Sequence, residues 1–222
     1  MKSLLRLTER GDDLCNWVGK VGAWTMLPLI AFVVFDVITR KITPLKIAIS
    51  ESWINAYISS TKLQEWEWHL HTVLFLCAFA FAYVQNAHVR VDIVREKLPP
   101  KGQAWLELIG GLIFLLPYCV LVLWFAWSFV VQAYVSNEGS AAMTGLGNRW
   151  MIKSFILLAL TLSIVAGMNA VIRKIAFLFG PEEVRRSVKL HMLTPEGQAK
   201  LKIERGEHVN APTPALAVQP GV

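Results

Sequence analysis

Charged side chains and histidines that could do chemistry are concentrated in two strings of this 222-residue chain. The string LQEWEWHLH carries Glu65, Glu67, His69 and His71, and the string EGSAAMTGLGNRWMIK spans residues 138–153. Paired carboxylates can act as general acid and base, and histidines can bind haem or a metal ion. Residues two positions apart do not face each other on a helix, so these glutamates form no acid–base pair by themselves.

Salt bridges are the structural alternative for these carboxylates. If both strings lie at one membrane surface, the glutamates could pair with Arg149 or Lys153. Asp36 and Arg40 are four residues apart, so they would share a helix face and could pair with each other. The functional alternative to this pair is that Asp36 and Arg40 contact another subunit.

The usual patterns of cofactor and metal sites are not found in the sequence. A transmembrane haem needs axial ligands at matched depth on different helices, but the histidines near apolar segments all flank one segment. The three cysteines show no metal-ligand spacing and are expected to pack as small apolar residues. Gly139, Gly145 and Gly147 lack the order of a phosphate-binding loop and are expected to allow tight turns. We therefore predict no catalytic residue, cofactor or metal site.

Four long apolar segments must position the charged residues. They lie at about 17–39, 70–87, 108–134 and 154–175. Each approaches or exceeds the roughly 20 apolar residues that cross a bilayer. Backbone polar groups in lipid must be hydrogen-bonded within the segment, so all four are predicted to be helices.

Prolines and tryptophans inside these segments lead to two further expectations. Pro28 and Pro117 predict local kinks in the first and third helices. Trp24, Trp124 and Trp127 lie deep in their segments, away from the interfacial positions that tryptophan prefers. We expect these three rings to pack between helices.

Composition and charge favour a membrane protein over other classes. Hydrophobic residues make up 55% of the chain and charged residues 17%, which excludes an ordinary soluble domain and a mostly disordered chain. A net charge of +6 can indicate nucleic-acid binding, but the long apolar runs favour a membrane protein with basic loops and no nucleic-acid partner. In a four-helix topology, sixteen Lys and Arg residues fall on one side and six on the other. The positive-inside rule therefore predicts that both termini are cytoplasmic.

The predicted fold is an all-α membrane protein in three parts. These are a cytoplasmic N-terminal segment at 1–16, a four-helix membrane domain at 17–179, and a largely disordered cytoplasmic tail at 180–222. Residues 45–58 mix apolar and polar side chains and could form a short helix on the bilayer surface. No charged residue lies at the centre of a predicted span, which argues against an ion-coupled carrier acting alone.

The order of four strings resembles one transporter family. LQEWEWHLH, NAHVRVDIV, AWLELIGGLIFLLPYCVLVLW and EGS…GLGNRWMIK follow one another over roughly residues 15–175. Together they look like the small permease subunit, of the Q type (DctQ-like), of tripartite ATP-independent periplasmic (TRAP) transporters. The resemblance implies a four-helix protein of the bacterial inner membrane that is not an enzyme.

The same resemblance implies partners and a role. TRAP small subunits pair with a large M-type membrane subunit that carries the substrate and sodium sites. A periplasmic binding protein delivers the substrate, typically an organic acid. The small subunit would then act as a scaffold for the static part of the transporter, and this sequence does not identify the substrate.

Thirteen positions match the family's motifs. They are Glu65, Glu67, His88, Arg90, Asp92, Pro117, Glu138, Ser140, Gly145, Leu146, Arg149, Trp150 and Lys153. The loop departs from the family's pattern at Ala141, Ala142 and Met143, and it has Gly147 where a proline is expected. We therefore expect this loop to be more flexible than in the family.

Two hypotheses about function follow from these observations. The first is the TRAP small subunit, in which Arg40, Glu65, Glu67, Arg149 and Lys153 form a charged periplasmic rim and His88, Arg90 and Asp92 form a cytoplasmic motif. The second is the membrane anchor of a redox complex that binds haem or quinone. A membrane enzyme and a self-sufficient exporter are disfavoured, because catalytic motifs and midplane charges are missing.

Small residues such as Gly110, Gly111, Ala78 and Ala80 are expected to pack against the partner subunit.

Overall fold

The computed structural model describes residues 2–85, 87, 98–142, 145–182, 185 and 188. Every regular element in these ranges is helical. The first half of the chain contains α1 (Lys2–Ala23), α2 (Met26–Lys41), α3 (Thr43–Glu51), α4 (Asn55–Ile58) and α5 (Ser60–Val84). The second half contains α6 (Pro100–Ile109), a π-helical segment (Gly110–Leu115), α7 (Leu116–Val135) and α8 (Arg149–Phe179).

Four helical stretches are long and apolar enough to cross a membrane. They are Ser3–Lys41, Ser60–Val84, Lys101–Val135 and Arg149–Phe179. The predicted all-α fold with four spans is therefore confirmed for the described residues. The side of the membrane on which each terminus lies stays a prediction.

The first and second spans pack as an antiparallel pair at short range. Gly19 of α1 lies against Phe81 of α5, and a Cβ at Gly19 would stand 2.5 Å from the Phe81 Cβ. A Cβ at Gly22 would collide with Cys77. Small residues let two backbones approach closely in a membrane protein, and these two glycines allow that approach here.

α8 is the most buried of the four spans and packs against the other three. Its Leu162 and Ala166 form a buried cluster with Cys15 and Ala80. Its Val171 packs in a second cluster with residues of the third span. All three cysteines are free and buried, as expected for small packing residues.

The helical hydrogen bonding is irregular just before each of the two prolines. Thr25 N donates to Gly22 O at 3.0 Å, a three-residue turn that separates α1 from α2. The ring of Pro28 would clash with the carbonyl four residues earlier, which is that of Trp24. The π-helical segment ends just before Pro117, and Leu116 N donates to the Gly111 carbonyl five residues earlier. The α-helical hydrogen bonding is therefore interrupted before both prolines, and the kinks of the helix axes stay a prediction.

The prediction that three tryptophans pack between helices was wrong. Trp24, Trp124 and Trp127 are 71%, 75% and 64% exposed and point away from the bundle. The helices of this chain contact one another mainly through small residues, which leaves the large rings on the outer face. These rings are available to lipid or to a partner.

Two of the small residues that were expected to pack against a partner are used within the chain. Ala80 is fully buried in the α1–α5–α8 core. Gly111 lies against Val171, whose methyl group would stand 3.2 Å from an added Cβ. Gly110 has open space at its Cβ position, so it remains free to pack against a partner subunit.

Helix α3 and the short helix α4 occupy most of the predicted surface helix at 45–58. Pro44 stands in the first turn of α3, where its missing N–H costs nothing. Their position at the bilayer surface stays a prediction. His88, Arg90, Asp92 and nearly all of the tail from residue 183 lie outside the described residues.

Candidate functional site at the α5–α8 end of the bundle

The loop between α7 and α8 folds back over the first turns of α5. Arg149 N donates to Glu138 O at 3.0 Å, and Ser140 N donates to Leu146 O at 3.0 Å, so the loop is closed by its own backbone. The chain turns in the left-handed region at Asn137 (φ 47°) and Asn148 (φ 56°). Asparagine tolerates this region better than most residues. The described left-handed positions of this loop are therefore asparagines, and Gly139, Gly145 and Gly147 are not among them.

Glu65 is the acceptor that holds this loop. The residue is 6% exposed, and its carboxylate accepts hydrogen bonds from Ser140 Oγ and from the backbone N–H of Leu146. Arg149 Nη2 lies 3.6 Å from Glu65 Oε1. We call Glu65, Ser140, Leu146 and Arg149 the Glu65 cluster. A buried carboxylate requires such partners, because an unpaired charge in this position is costly.

Gly145 is required for the close approach of the loop to α5. A Cβ at this position would collide with the Ser140 side chain and would stand 2.8 Å from Glu65 Oε1. By contrast, nothing lies within 4 Å of a Cβ at Gly147. Gly145 therefore serves the packing of the Glu65 cluster, and Gly147 does not.

Arg149 is positioned by an aromatic ring as well as by a carboxylate. Its guanidinium carbon lies 5.6 Å from the centroid of the Trp68 ring, within the range of a cation–π contact. Trp68 also packs on His69, with 4.1 Å between the ring centroids. His69 Nδ1 lies 2.5 Å from the Glu65 carbonyl oxygen, so the imidazole is bound to its own helix.

Lys153 and Glu138 form a second ion pair beside the Glu65 cluster. Lys153 Nζ also lies 3.8 Å from the centroid of the Phe129 ring on α7. The neighbouring Trp150 packs edge-on against Tyr134, with 5.4 Å between the ring centroids. Of the two predicted partners of the glutamates, Arg149 pairs with Glu65, whereas Lys153 pairs with Glu138.

Glu67 and Arg40 lie together with Asp36, apart from the loop. Arg40 Nη2 bonds to Asp36 Oδ2 at 2.6 Å, which confirms the predicted pair. Ser60 Oγ donates to Asp36 Oδ1 at 3.4 Å and links α2 to the start of α5. Glu67 lies within electrostatic reach of both charges, and its buried Oε1 has no hydrogen-bond partner among the described residues. The predicted rim is therefore two adjacent clusters at one end of the bundle.

A third cluster, at the opposite end, was not anticipated from the sequence. Arg173 of α8 bonds to Asp12 of α1, and Asn169 Nδ2 donates to Asp12 Oδ1 at 2.9 Å and to Thr8 O at 3.1 Å. We call Asp12, Asn169 and Arg173 the Asp12 cluster. The sequence offers one signal for this cluster, an asparagine and an arginine four positions apart in one helix. That signal does not reveal that their partner is Asp12 on α1.

The clusters at the two ends are separated by about the thickness of a bilayer core. Lys153 and Arg173 are twenty residues apart on α8, which corresponds to about 30 Å of helix. No charged residue stands between them in the sequence. The hydrocarbon core of a bilayer is about 30 Å thick, so both ends of this helix present their charges at membrane surfaces.

No metal-binding arrangement is present in the part of the chain that the structure describes. No group of three or more His, Cys, Asp or Glu side chains there could hold a metal ion. The site can therefore hold α5, α8 and the loop before α8 in one arrangement, because its charged groups pair with one another and with the loop backbone.

Four apolar spans with charged clusters at their ends define a multi-pass membrane protein. Residues 29–177, about two thirds of the chain, match the model of a family described as tripartite ATP-independent periplasmic transporters, DctQ component. The chain belongs to this family and is a small permease component of a TRAP transporter. A search of curated proteins and a search of solved structures each found no match.

Proposed function

We propose that this chain is the scaffold subunit of a TRAP secondary transporter that imports an organic acid. Its partners would be a large ion-coupled membrane subunit and a periplasmic substrate-binding protein. Membership of the DctQ family supports this proposal. The chemical identity of the acid would be decided by those partners.

One observation favours a scaffold over a carrier: the two polar residues buried in α8 between its charged ends, Ser163 and Asn169, are already bonded within the chain. Ser163, buried on α8, donates to Ala159 O at 2.7 Å. Asn169 is bonded to Thr8 O and Asp12, at one end of the span. A substrate or sodium site at the midplane needs polar groups that are available to the ligand. The described interior therefore suits helix packing better than ion coordination.

The outward faces of the bundle suit a large membrane partner. α7 exposes large aromatic side chains along its length, and the first span exposes Trp24 in the turn before α2 and aliphatic residues on α2. Association of helices in a membrane depends on van der Waals packing, which broad and rigid side chains can supply. The large membrane subunit would cover part of this surface and lipid the rest.

The charge distribution supports an orientation with both termini in the cytoplasm. The Glu65 cluster would then face the periplasm, together with the Glu138–Lys153 and Asp36–Arg40 pairs. There the rim would order the loop and offer a contact to the binding protein. The His88, Arg90 and Asp92 motif would lie at the cytoplasmic end.

The proposal is tested by purifying the tagged full-length chain in mild detergent from cells that express its native operon. Mass spectrometry would identify the proteins that co-purify. Stoichiometric recovery of a large polytopic membrane protein is the expected result. A chain that purifies alone would contradict the scaffold role, and a preparation with a haem spectrum would favour a redox anchor instead.

A further inference from the structure

A cavity of about 150 Å³ lies beside the Asp36–Arg40 pair. Its walls come from the end of α2, from α3 and α4, and from the start of α5. A single water needs about 10–15 Å³ of such space, so the cavity has room for a group of several atoms. It is separate from the Glu65 cluster, whose residues do not line it.

The polar lining of the cavity is positively charged. Arg40 and Lys46 both line it, and no carboxylate does. Arg40 pairs with Asp36, and both of its terminal nitrogens also donate to the Gln64 side-chain oxygen. A guanidinium has five N–H donors, so two remain available, and this side chain is nearly half exposed. Lys46 is exposed and forms no ion pair with any residue of known position. Both cations therefore keep N–H donors for a ligand, and of the two only Arg40 has a described counter-charge, Asp36 beside the cavity.

The elements around the cavity carry exposed apolar side chains. Ile47 on α3 is half exposed, and Trp53 and Tyr57 are 79% and 71% exposed. Trp53 and Tyr57 contact each other edge to face, with 6.3 Å between the ring centroids. Tryptophan and tyrosine prefer the membrane–water interface, where one side of the ring meets lipid.

The depth of the cavity matches that of lipid headgroups. Arg40 lies at the same end of the bundle as Lys153, about 30 Å along α8 from the charges at the other end. A ligand held by Lys46 would therefore lie at the bilayer surface, with Ile47 and Trp53 close to the acyl chains.

We propose that this cavity binds the phosphate of an anionic phospholipid headgroup, through Lys46 and Arg40. The phosphate oxygens accept charge-assisted hydrogen bonds from the two side chains. The acyl chains extend from the open side of the cavity along the apolar residues of α3 and α4. The bound lipid fixes the α3–α4 segment against α2 and α5.

Native mass spectrometry of the full-length chain in mild detergent tests this inference. After delipidation, the chain is titrated with phosphatidylglycerol, and Lys46→Gln is compared with the unsubstituted chain. Loss of one charge-assisted hydrogen bond predicts about tenfold weaker binding for Lys46→Gln. Lys41→Gln is the matched control, because Lys41 ends α2 but does not line the cavity. Lys41→Gln is expected to bind like the unsubstituted chain.

Filling the cavity provides a second test that does not depend on charge. Ser50 lines the cavity, and Ser50→Phe would place a ring in it. Loss of the bound phosphatidylglycerol in both Ser50→Phe and Lys46→Gln supports the proposal. Unchanged binding in both variants overturns it, as does equal binding of phosphatidylcholine that neither variant weakens.

Inorganic phosphate distinguishes the two sources of the ligand. The proposal predicts that phosphatidylglycerol binds in the presence of excess inorganic phosphate. Saturation of the site by inorganic phosphate with no retention of phosphatidylglycerol overturns the lipid as occupant. Co-purification of the large membrane subunit is a separate readout, so failure here leaves the proposed transport role unaffected.

Discussion

Glu65 Oε1 and Arg149 Nη2 lie 3.6 Å apart, although the residues come from different spans and from opposite halves of the chain. This contact joins the start of α5 to the first turn of α8. The same carboxylate accepts from Ser140 and Leu146, so one side chain fixes two helices and the loop between α7 and α8. The Glu65 cluster is therefore the structural centre of its end of the bundle.

Removal of the Glu65 carboxylate should open the loop. Glu65→Ala leaves the Leu146 N–H without its acceptor and the partly buried Arg149 without its ion-pair partner. Breaking one partner of a buried pair costs about 3 kcal/mol, which corresponds to about 100-fold more opening. Hydrogen exchange measured by mass spectrometry should show faster exchange of loop amides 138–142.

Glu67→Ala is the control for that experiment. Glu67 is two residues away on the same helix, and no bond joins it to the described part of the loop. Its removal should leave the exchange of amides 138–142 unchanged. Equal exchange rates in Glu65→Ala and the unsubstituted chain would show that the carboxylate does not hold the loop.

A single methyl group should distinguish the two glycines of the loop. Gly145→Ala places a Cβ against Ser140 and Glu65, whereas Gly147→Ala meets open space. Overpacking of this kind costs about 1–3 kcal/mol. Thermal unfolding of the full-length variants in one detergent should show a lower midpoint for Gly145→Ala alone. Equal midpoints for the two variants would contradict the close approach of the loop to α5.

Charge reversal of the rim should reduce transport without removing the protein from the membrane. Arg149→Glu combined with Lys153→Glu would repel Glu65 and Glu138, the present partners of these side chains. Uptake of the transported acid by cells is the measurement, and immunoblotting of membranes gives the amount of protein. Lys41→Glu changes the charge at the same end without breaking a described pair. Transport equal to that of the unsubstituted protein would argue against a role for the rim.

The Asp12 cluster should contribute to stability through a specific pair. A double-mutant cycle with Asp12→Ala and Arg173→Ala measures the coupling, which is expected to exceed about 1 kcal/mol for charged groups in contact. Asp13→Ala replaces the exposed neighbour of Asp12 and is expected to show no coupling to Arg173→Ala. Additive effects of Asp12→Ala and Arg173→Ala would show that the contact contributes nothing.

Much of the fold could be predicted because the signals are local. An uninterrupted apolar segment needs only its own backbone to become a helix in lipid, so the four spans were recognised without knowledge of their neighbours. The Asp36–Arg40 pair was likewise within reach, because four residues on a helix bring two side chains to one face. The interruptions before Pro28 and Pro117 follow from the chemistry of one residue.

The candidate site was only partly predictable, because its partners come from distant parts of the chain. The sequence alone placed Glu65, Arg149 and Lys153 at one membrane surface. It did not determine that Arg149 forms an ion pair with Glu65 and Lys153 with Glu138. That choice depends on how α5, α7 and α8 are rotated and aligned, since a small rotation of a helix exchanges the side chains that meet.

The sequence by itself determined the number of spans, the charges at their ends and the membership of the DctQ family. Only the tertiary structure decided which faces are internal: Ala80 is buried in the core, while Trp124 points outward. It also decided that Asp12 meets Arg173, a residue 161 positions later. In an apolar span nearly every face is hydrophobic, so the pattern of residues does not indicate which one packs, and the close fit of small side chains between helices makes that choice.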